Sequence, residues 1–155
     1  MKLPFFTILA SVLFTGLSVA QSDLASYHST LTTDCKSIRG HAGRIVAEAM
    51  HTPLNRDVAA AHLEQVAKFH DEMESQLAAS KKLLTAAQLK LVATEYQTLE
   101  KKCSTIGTLV SQLRKEFAKG DPDASVLRDQ ASKMRSEMAD GNTVHESLKK
   151  KLGIK

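Results

Sequence analysis

The chain has 155 residues, of which 43% are hydrophobic, 25% are charged and 5% are aromatic, and its formal net charge is +4. With no tryptophan and no long basic run, a base-stacking surface and a nucleic-acid partner are not expected. Beyond the N-terminal segment, no stretch is apolar enough to cross a membrane. These features indicate a globular domain with a mixed-charge surface.

The N-terminal segment has the three parts of a secretory signal peptide. Lys2 supplies the charged start, an apolar run follows over residues 3–17, and small residues lead to a cleavage site at Ala20. The run is shorter than the ~20 residues that a spanning helix needs. We therefore predict a Sec-type signal at 1–20 that is cleaved after Ala20, a single mature domain at 21–155, and a secreted or periplasmic location.

Apolar residues that recur in steps of three and four predict four helices, each with an unbroken inward seam. Ile38, Leu63, Leu113 and Leu127 are typical seam positions. The predicted helices cover residues 23–50, 53–81, 86–119 and 122–152. Because the connections are short, neighbouring helices should be antiparallel, so the predicted fold is an all-α, up-down-up-down antiparallel four-helix bundle.

Capping residues set the predicted helix starts. Ser22 should cap the first helix, and Thr52-Pro53 and Asp121-Pro122 combine a cap with proline at the first helical position of the second and fourth. Thr85 and Gln88 form a capping-box pattern at the start of the third helix. These signals predict that every helix starts at a defined residue.

Two places disturb the helical pattern. Asp140-Gly141-Asn142 resembles a turn, so a break at 140–142 in the last helix is an alternative to a continuous helix. In the first helix, Gly40 and Gly43 bracket His41, although a glycine inside a helix costs about 1 kcal/mol relative to alanine. This arrangement requires an explanation from the fold.

In an antiparallel helical hairpin, residues at equal distances from the turn lie side by side. Pairing residues in this way, which we call reflection about the turn, places four seam side chains in one layer: Cys35, His70, Cys103 and Met138. In an exported protein, two core cysteines favour a Cys35–Cys103 disulfide, which is our prediction. Buried free thiols and a copper-type metal site with these four soft ligands are the alternatives. A disulfide would require a flattened bundle, because the first and third helices lie on its diagonal.

A second polar layer contains His28 and His145. Two histidines inside a four-helix bundle are an arrangement that holds haem b, and these two lie near opposite ends of the chain, which makes haem a further alternative. The competing interpretation, which we favour, is that these are satisfied core histidines, with His145 bonded to Tyr96.

One face of the first helix carries small residues where an exposed helix normally carries charge. These residues are Ser29, Thr33, Ser37, Gly40 and Ala47. They suggest a contact face for another helix, most simply a homodimer through the first helix; a tolerated flexible spot in a long helix is the alternative. His41 borders this face, and His62 of the second helix is its nearest partner by reflection; the role of His41 is left open.

The sequence contains no recognisable catalytic set. No carboxylate occupies a seam position, and no nucleophile-bearing Gly-x-Ser-x-Gly turn is present. We therefore expect an exported, non-catalytic helical-bundle protein that binds an unspecified protein or small apolar ligand. No cofactor is expected. The alternative is a copper or haem b protein that uses the core cysteine, histidine and methionine side chains.

Overall fold

The computed structural model describes the backbone of residues 7–154 and the side chains of residues 21–154. Within this range the chain forms five helices and no strand, which confirms the all-α class. The helices are α1 (Thr7–Glu48), α2 (Arg56–Lys82), α3 (Ala86–Leu91), α4 (Ala93–Phe117) and α5 (Ala124–Leu152). None of the described helices combines the length and apolarity of a membrane span. The predicted signal segment at 1–20 lies outside the residues whose side chains are described.

The four long helices pack in a ring around one hydrophobic core. α1 packs along α2 and α5, and α4 packs along the same two helices. The seam residues Ile38, Leu63, Leu113 and Leu127 are each at most 1% exposed. Burial of such side chains stabilises each by about 1.5 to 3 kcal/mol, so the predicted seams form the core.

Three predicted helix starts were wrong. α1 continues through Ser22, which therefore does not begin the helix. α2 follows Asn55, whose side chain accepts a hydrogen bond from the Val58 amide, rather than Thr52-Pro53. α5 likewise follows Asp123 instead of Asp121-Pro122. In both loops an Asn or Asp after the proline supplies the capping oxygen, so the proline precedes the helix.

The capping box of the third predicted helix is confirmed, but that helix is divided. The Thr85 hydroxyl accepts the Gln88 amide at 3.3 Å, and the Gln88 side chain accepts the Thr85 amide at 3.0 Å. The helix is interrupted at Val92, where φ is −115°, and resumes as α4. Val92 is thereby fully buried while Leu91 stays 53% exposed, so the interruption directs the core-facing side chain inward.

The alternative break at 140–142 was wrong, because α5 is continuous from Ala124 to Leu152. Gly141 is buried, and a Cβ there would lie 3.5 Å from the Lys102 side chain of α4. The Lys102 ammonium pairs with Glu137 at 2.9 Å and with Asp140 at 3.5 Å. A Cβ at this distance makes an ordinary van der Waals contact, so the glycine lies in a normally packed helix beside an ion-paired lysine.

Candidate functional site

Cys35 and Cys103 lie in the core as buried free thiols, so the predicted disulfide was wrong. They belong to α1 and α4, which pack mainly on α2 and α5 rather than on each other. Bridged cysteines need Cα atoms about 6 Å apart, which diagonal helices do not provide. The Cys35 thiol instead donates to the Met73 sulfur at 3.7 Å.

Burial keeps both thiols protonated. It raises the pKa of Cys35 to about 11 and that of Cys103 to about 12. The cavity that both thiols line has a volume of about 10 Å³, no more than one water occupies. Because the thiolate is the reactive form of cysteine, this layer is chemically inert at neutral pH.

The copper-type layer was also wrong. The His70 ring donates from Nε2 to the Cys103 carbonyl oxygen at 2.9 Å, so this nitrogen is committed to the backbone. Met73 rather than Met138 lies against Cys35. Across residues 21–154 no group of three or more histidine, cysteine, aspartate or glutamate side chains is arranged to hold a metal ion. Reflection of the seams located the layer but not the side-chain directions within it.

His28 and His145 bond directly to each other, with 2.8 Å between Nδ1 and Nε2 and their rings stacked. A haem iron would lie between two such nitrogens at about 2 Å from each, with the porphyrin plane separating the rings. The direct contact does not fit that arrangement, so the haem b alternative has no support in this geometry. Thr32, 3.4 Å from His145 Nδ1, takes the place expected for Tyr96.

Both core histidines are neutral near pH 7. Burial, the positive charge of His145 and that of Lys149 lower the pKa of His28 to about 4. Burial also lowers the pKa of His145 to about 4, where Lys149 adds to the shift and Glu146 partly opposes it. Both histidines are core residues as expected, but the expected bond between His145 and Tyr96 was wrong, and Nε2 of His28 has no hydrogen-bond partner among the described residues. Tyr96 bonds instead to the Ser80 hydroxyl at 2.9 Å.

Asp34 is a buried carboxyl group that the seam pattern did not reveal, and it is 2% exposed. Its Oδ2 atom has no hydrogen-bond partner among the described residues. Burial and the nearby charge of Glu72 raise the pKa of this carboxyl to about 6. Asp34 lies three residues after Leu31 and four before Ile38, a spacing that places it on the inner face; this spacing was the available signal.

The outer face of α1 contrasts with the core. Ser29, Thr33, Gly40 and Ala47 are exposed, and Ser37 is partly exposed. A Cβ at Gly40 would have no atom of a packing neighbour within 4 Å. The predicted homodimer through this face stays a prediction.

Gly40 separates two clefts on this face. The larger, about 600 Å³, lies between α1 and α2 and includes His41, Arg44 and His62. Its two histidines confirm the predicted juxtaposition, with 3.1 Å between their Nδ1 atoms. Burial, His62 and Arg44 all lower the pKa of His41. The neighbourhood of this histidine therefore disfavours additional positive charge.

The smaller cleft, about 270 Å³, lies between α1 and α5. Lys36, Arg39, Gly40 and Arg135 line it. Throughout the described chain no carboxylate forms an ion pair with these three basic side chains. By contrast, Arg114 binds Glu64 through two hydrogen bonds, at 2.6 and 3.0 Å. The small cleft therefore concentrates uncompensated positive charge.

Comparison with known proteins gave no match to a protein-family model, to a curated protein or to a solved structure. The function must therefore be inferred from the clefts themselves.

Proposed function

We propose that this is an exported, non-catalytic binding protein whose ligand occupies the outer face of α1 around Gly40. The observation that carries the proposal is the contrast in space: about 10 Å³ in the cavity at the cysteine layer, against clefts of about 600 and 270 Å³ that meet at Gly40. The cavity that both thiols line has no room for a small apolar ligand, the neighbouring cleft beside Cys103 has only about 140 Å³, and binding at the outer face requires no repacking of the core.

The chemistry of the core supports a non-catalytic role. Its two thiols stay protonated, its two histidines bond to each other, and His70 donates to a backbone carbonyl. A nucleophile or general base must reach a substrate, and these groups face protein atoms instead. Their placement supports packing rather than reaction.

We also propose the up-down-up-down bundle topology, with α3 as a short first turn of the third helix, and export with cleavage after Ala20. The ring in which α1 and α4 each pack on α2 and α5 supports this topology. Cleavage would leave a mature chain that begins at Gln21, within α1. Mass spectrometry of protein recovered from the exporting host should give the mass of residues 21–155; retention of residues 1–20 would contradict export by this route.

The binding face is tested by thermal unfolding with a panel of anionic, neutral and cationic compounds. Gly40→Gln fills the junction of the clefts, while Gly120→Gln adds the same side chain at another open glycine, in the loop before α5. A ligand at 100 times its Kd should stabilise the unmodified chain and Gly120→Gln by about 2.7 kcal/mol, roughly 10 °C, but not Gly40→Gln. Equal stabilisation of all three, or of none, would overturn the proposal.

The homodimer is a competing use of the same face. Sedimentation over a dilution series should give one monomer mass if the face is free for a ligand. A dimer that Gly40→Gln dissociates and Gly120→Gln leaves intact would assign the face to a second copy of the chain.

A further inference from the structure

We propose that the cleft between α1 and α5 binds a phosphate group through Lys36, Arg39 and Arg135. The inference names the ligand class for the surface site proposed above and rests on that proposal. It explains a cleft whose lining, apart from one glycine, is entirely basic.

The positions of the three side chains suit a tetrahedral oxyanion. Lys36 and Arg39 are three residues apart, so they project from the same side of α1, and Arg135 approaches from α5. The two guanidinium groups each offer five N–H donors in a planar fork, and the ammonium group offers three more. Guanidinium forks match phosphate oxygens in pairs, which makes arginine a preferred phosphate ligand.

The charge balance of the cleft also favours an anion. Like charges three residues apart on a helix repel each other, and a third cation comes from α5. No carboxylate of the described residues pairs with any of the three. A bound phosphate would supply the missing negative charge in the cleft that the three side chains line.

The two glycines in the middle of α1 fit this cleft. Gly40 leaves the helix surface bare where the cleft opens, since a Cβ at this position would meet no packing neighbour within 4 Å. At Gly43 a Cβ would lie 3.6 Å from Nε of Arg135, so this glycine borders the path of the arginine. Both residues lower helix propensity; Gly40 lines the basic cleft, and Gly43 lies beside the Arg135 side chain that lines it.

A metal cation is a poorer occupant of this face. The Nδ1 atoms of His41 and His62 are 3.1 Å apart, a spacing that two ligands of one metal ion can adopt. Arg44 and Glu48 line the same cleft with opposite charges, however, and the basic cleft begins at the adjoining Gly40. Glu48 therefore offers the metal ion no net negative charge, and the three cations beyond Gly40 favour an anion.

Titration of the ¹⁵N-labelled protein with inorganic phosphate tests the inference by NMR. We expect saturable shifts of the Gly40 amide and of the Arg39 and Arg135 side-chain Nε–H groups. Chloride at the same ionic strength should not produce them, because it lacks the paired oxygens that a guanidinium fork binds. Shifts that grow linearly, or that chloride reproduces, would show only screening of surface charge and would overturn the inference.

Matched variants separate a site from net charge. Arg135→Gln should weaken phosphate binding about tenfold, the usual loss for a hydrogen bond to a charged group. Lys133→Gln removes the same charge from an exposed position of the same helix, outside the cleft, and should change the affinity by less than about twofold. Gly40→Asp should abolish binding, because its carboxylate occupies the cleft, whereas Gly40→Ala should retain it. Equal weakening by Arg135→Gln and Lys133→Gln would contradict the inference.

Vesicles distinguish the source of the phosphate group. Phosphatidylcholine vesicles with phosphatidylglycerol should bind, and be competed by inorganic phosphate, if a lipid headgroup is the ligand; Arg135→Gln should then weaken both. If inorganic phosphate saturates the cleft but the protein does not bind the vesicles, the ligand is a soluble phosphate compound rather than a lipid headgroup. If neither probe binds, the inference is overturned, while stabilisation by a neutral compound that Gly40→Gln abolishes would leave the proposed function standing.

Discussion

In the core, His28 bonds to His145 and Cys35 contacts Met73, whereas on the outer face of α1 the cations Lys36 and Arg39 have no carboxylate partner among the described residues. Burial removes charge from the core groups, and exposure leaves charge on the surface groups. The residue types with the most distinctive chemistry therefore serve packing here, and commonplace basic residues form the place where a ligand can bind.

The largest expected effect concerns acid stability. The pKa of His28 and of His145 is about 4 in the folded state, below the ordinary 6.5, so the unfolded chain takes up protons first as pH falls. Stability is therefore complete above about pH 6.5 and is lost toward pH 4, by roughly 3 kcal/mol for one imidazole.

The double variant His28→Leu/His145→Leu should remove this part of the pH dependence. Urea unfolding at pH 7 and pH 4 measures the difference in the free energy of unfolding, which should shrink by about 3 kcal/mol or more. His51→Gln, in the exposed loop after α1, should leave the difference unchanged. An unaltered acid loss in the double variant would mean that the core histidines are not its source.

Thiol reactivity is the next test of the contrast. Because burial raises the pKa of Cys35 from 9.0 to about 11, the thiolate fraction at pH 8 falls about 100-fold, and reaction with a disulfide reagent should slow at least as much. In Cys103→Ser/Ser104→Cys, a thiol on the adjacent exposed position should react at the ordinary rate. Fast reaction of Cys35 and Cys103 would contradict their burial. A mass that increases on reduction would show a disulfide and contradict their description as free thiols.

Asp34 should give a smaller effect of opposite sign. Its folded pKa of about 6 lies above the ordinary 3.8, so this carboxyl costs the fold stability as pH rises through that interval. Asp34→Asn should therefore stabilise the protein at pH 7 by about 2 kcal/mol, after allowance for solvent screening, and by little at pH 3. Urea unfolding at both pH values provides the measurement, and equal effects would argue against a titrating Asp34.

The smallest effect compares two glycines. Gly40→Ala should stabilise by about 1 kcal/mol, because the helix gains propensity and the added methyl meets open space. Gly107→Ala should destabilise, because its Cβ would lie 3.1 Å from the His70 ring, which a hydrogen bond to the Cys103 carbonyl holds in place. Thermal unfolding of both variants should shift Tm in opposite directions; a shift in the same direction would remove the contrast.

The periodicity of apolar residues was sufficient to predict the helical class and the core. Ile38, Leu63 and Leu113 follow the three-and-four spacing and are buried as expected. The Thr85–Gln88 capping box was equally predictable, because both of its contacts lie within one turn of the chain. Local patterns of this kind depend on few distant partners.

The candidate site was less predictable because it depends on contacts between helices. Reflection brought His41 to His62 but did not indicate that Arg135 of α5 would join Lys36 beside Gly40. The predictions of a disulfide and of a metal site were wrong because side-chain direction and helix spacing, rather than residue type, determine which atoms are in contact. Asp34 was missed because a strict seam is narrower than the buried face of a helix.

The bond between His28 and His145 joins positions 117 residues apart in the chain. During synthesis such a contact forms late, since α5 must be complete and docked before His28 finds its partner. Until then the first helix leaves part of its apolar seam open to water. A chain truncated before residue 145 should therefore bind a hydrophobic dye and be cleaved by protease faster than the complete chain, so the last helix closes the fold.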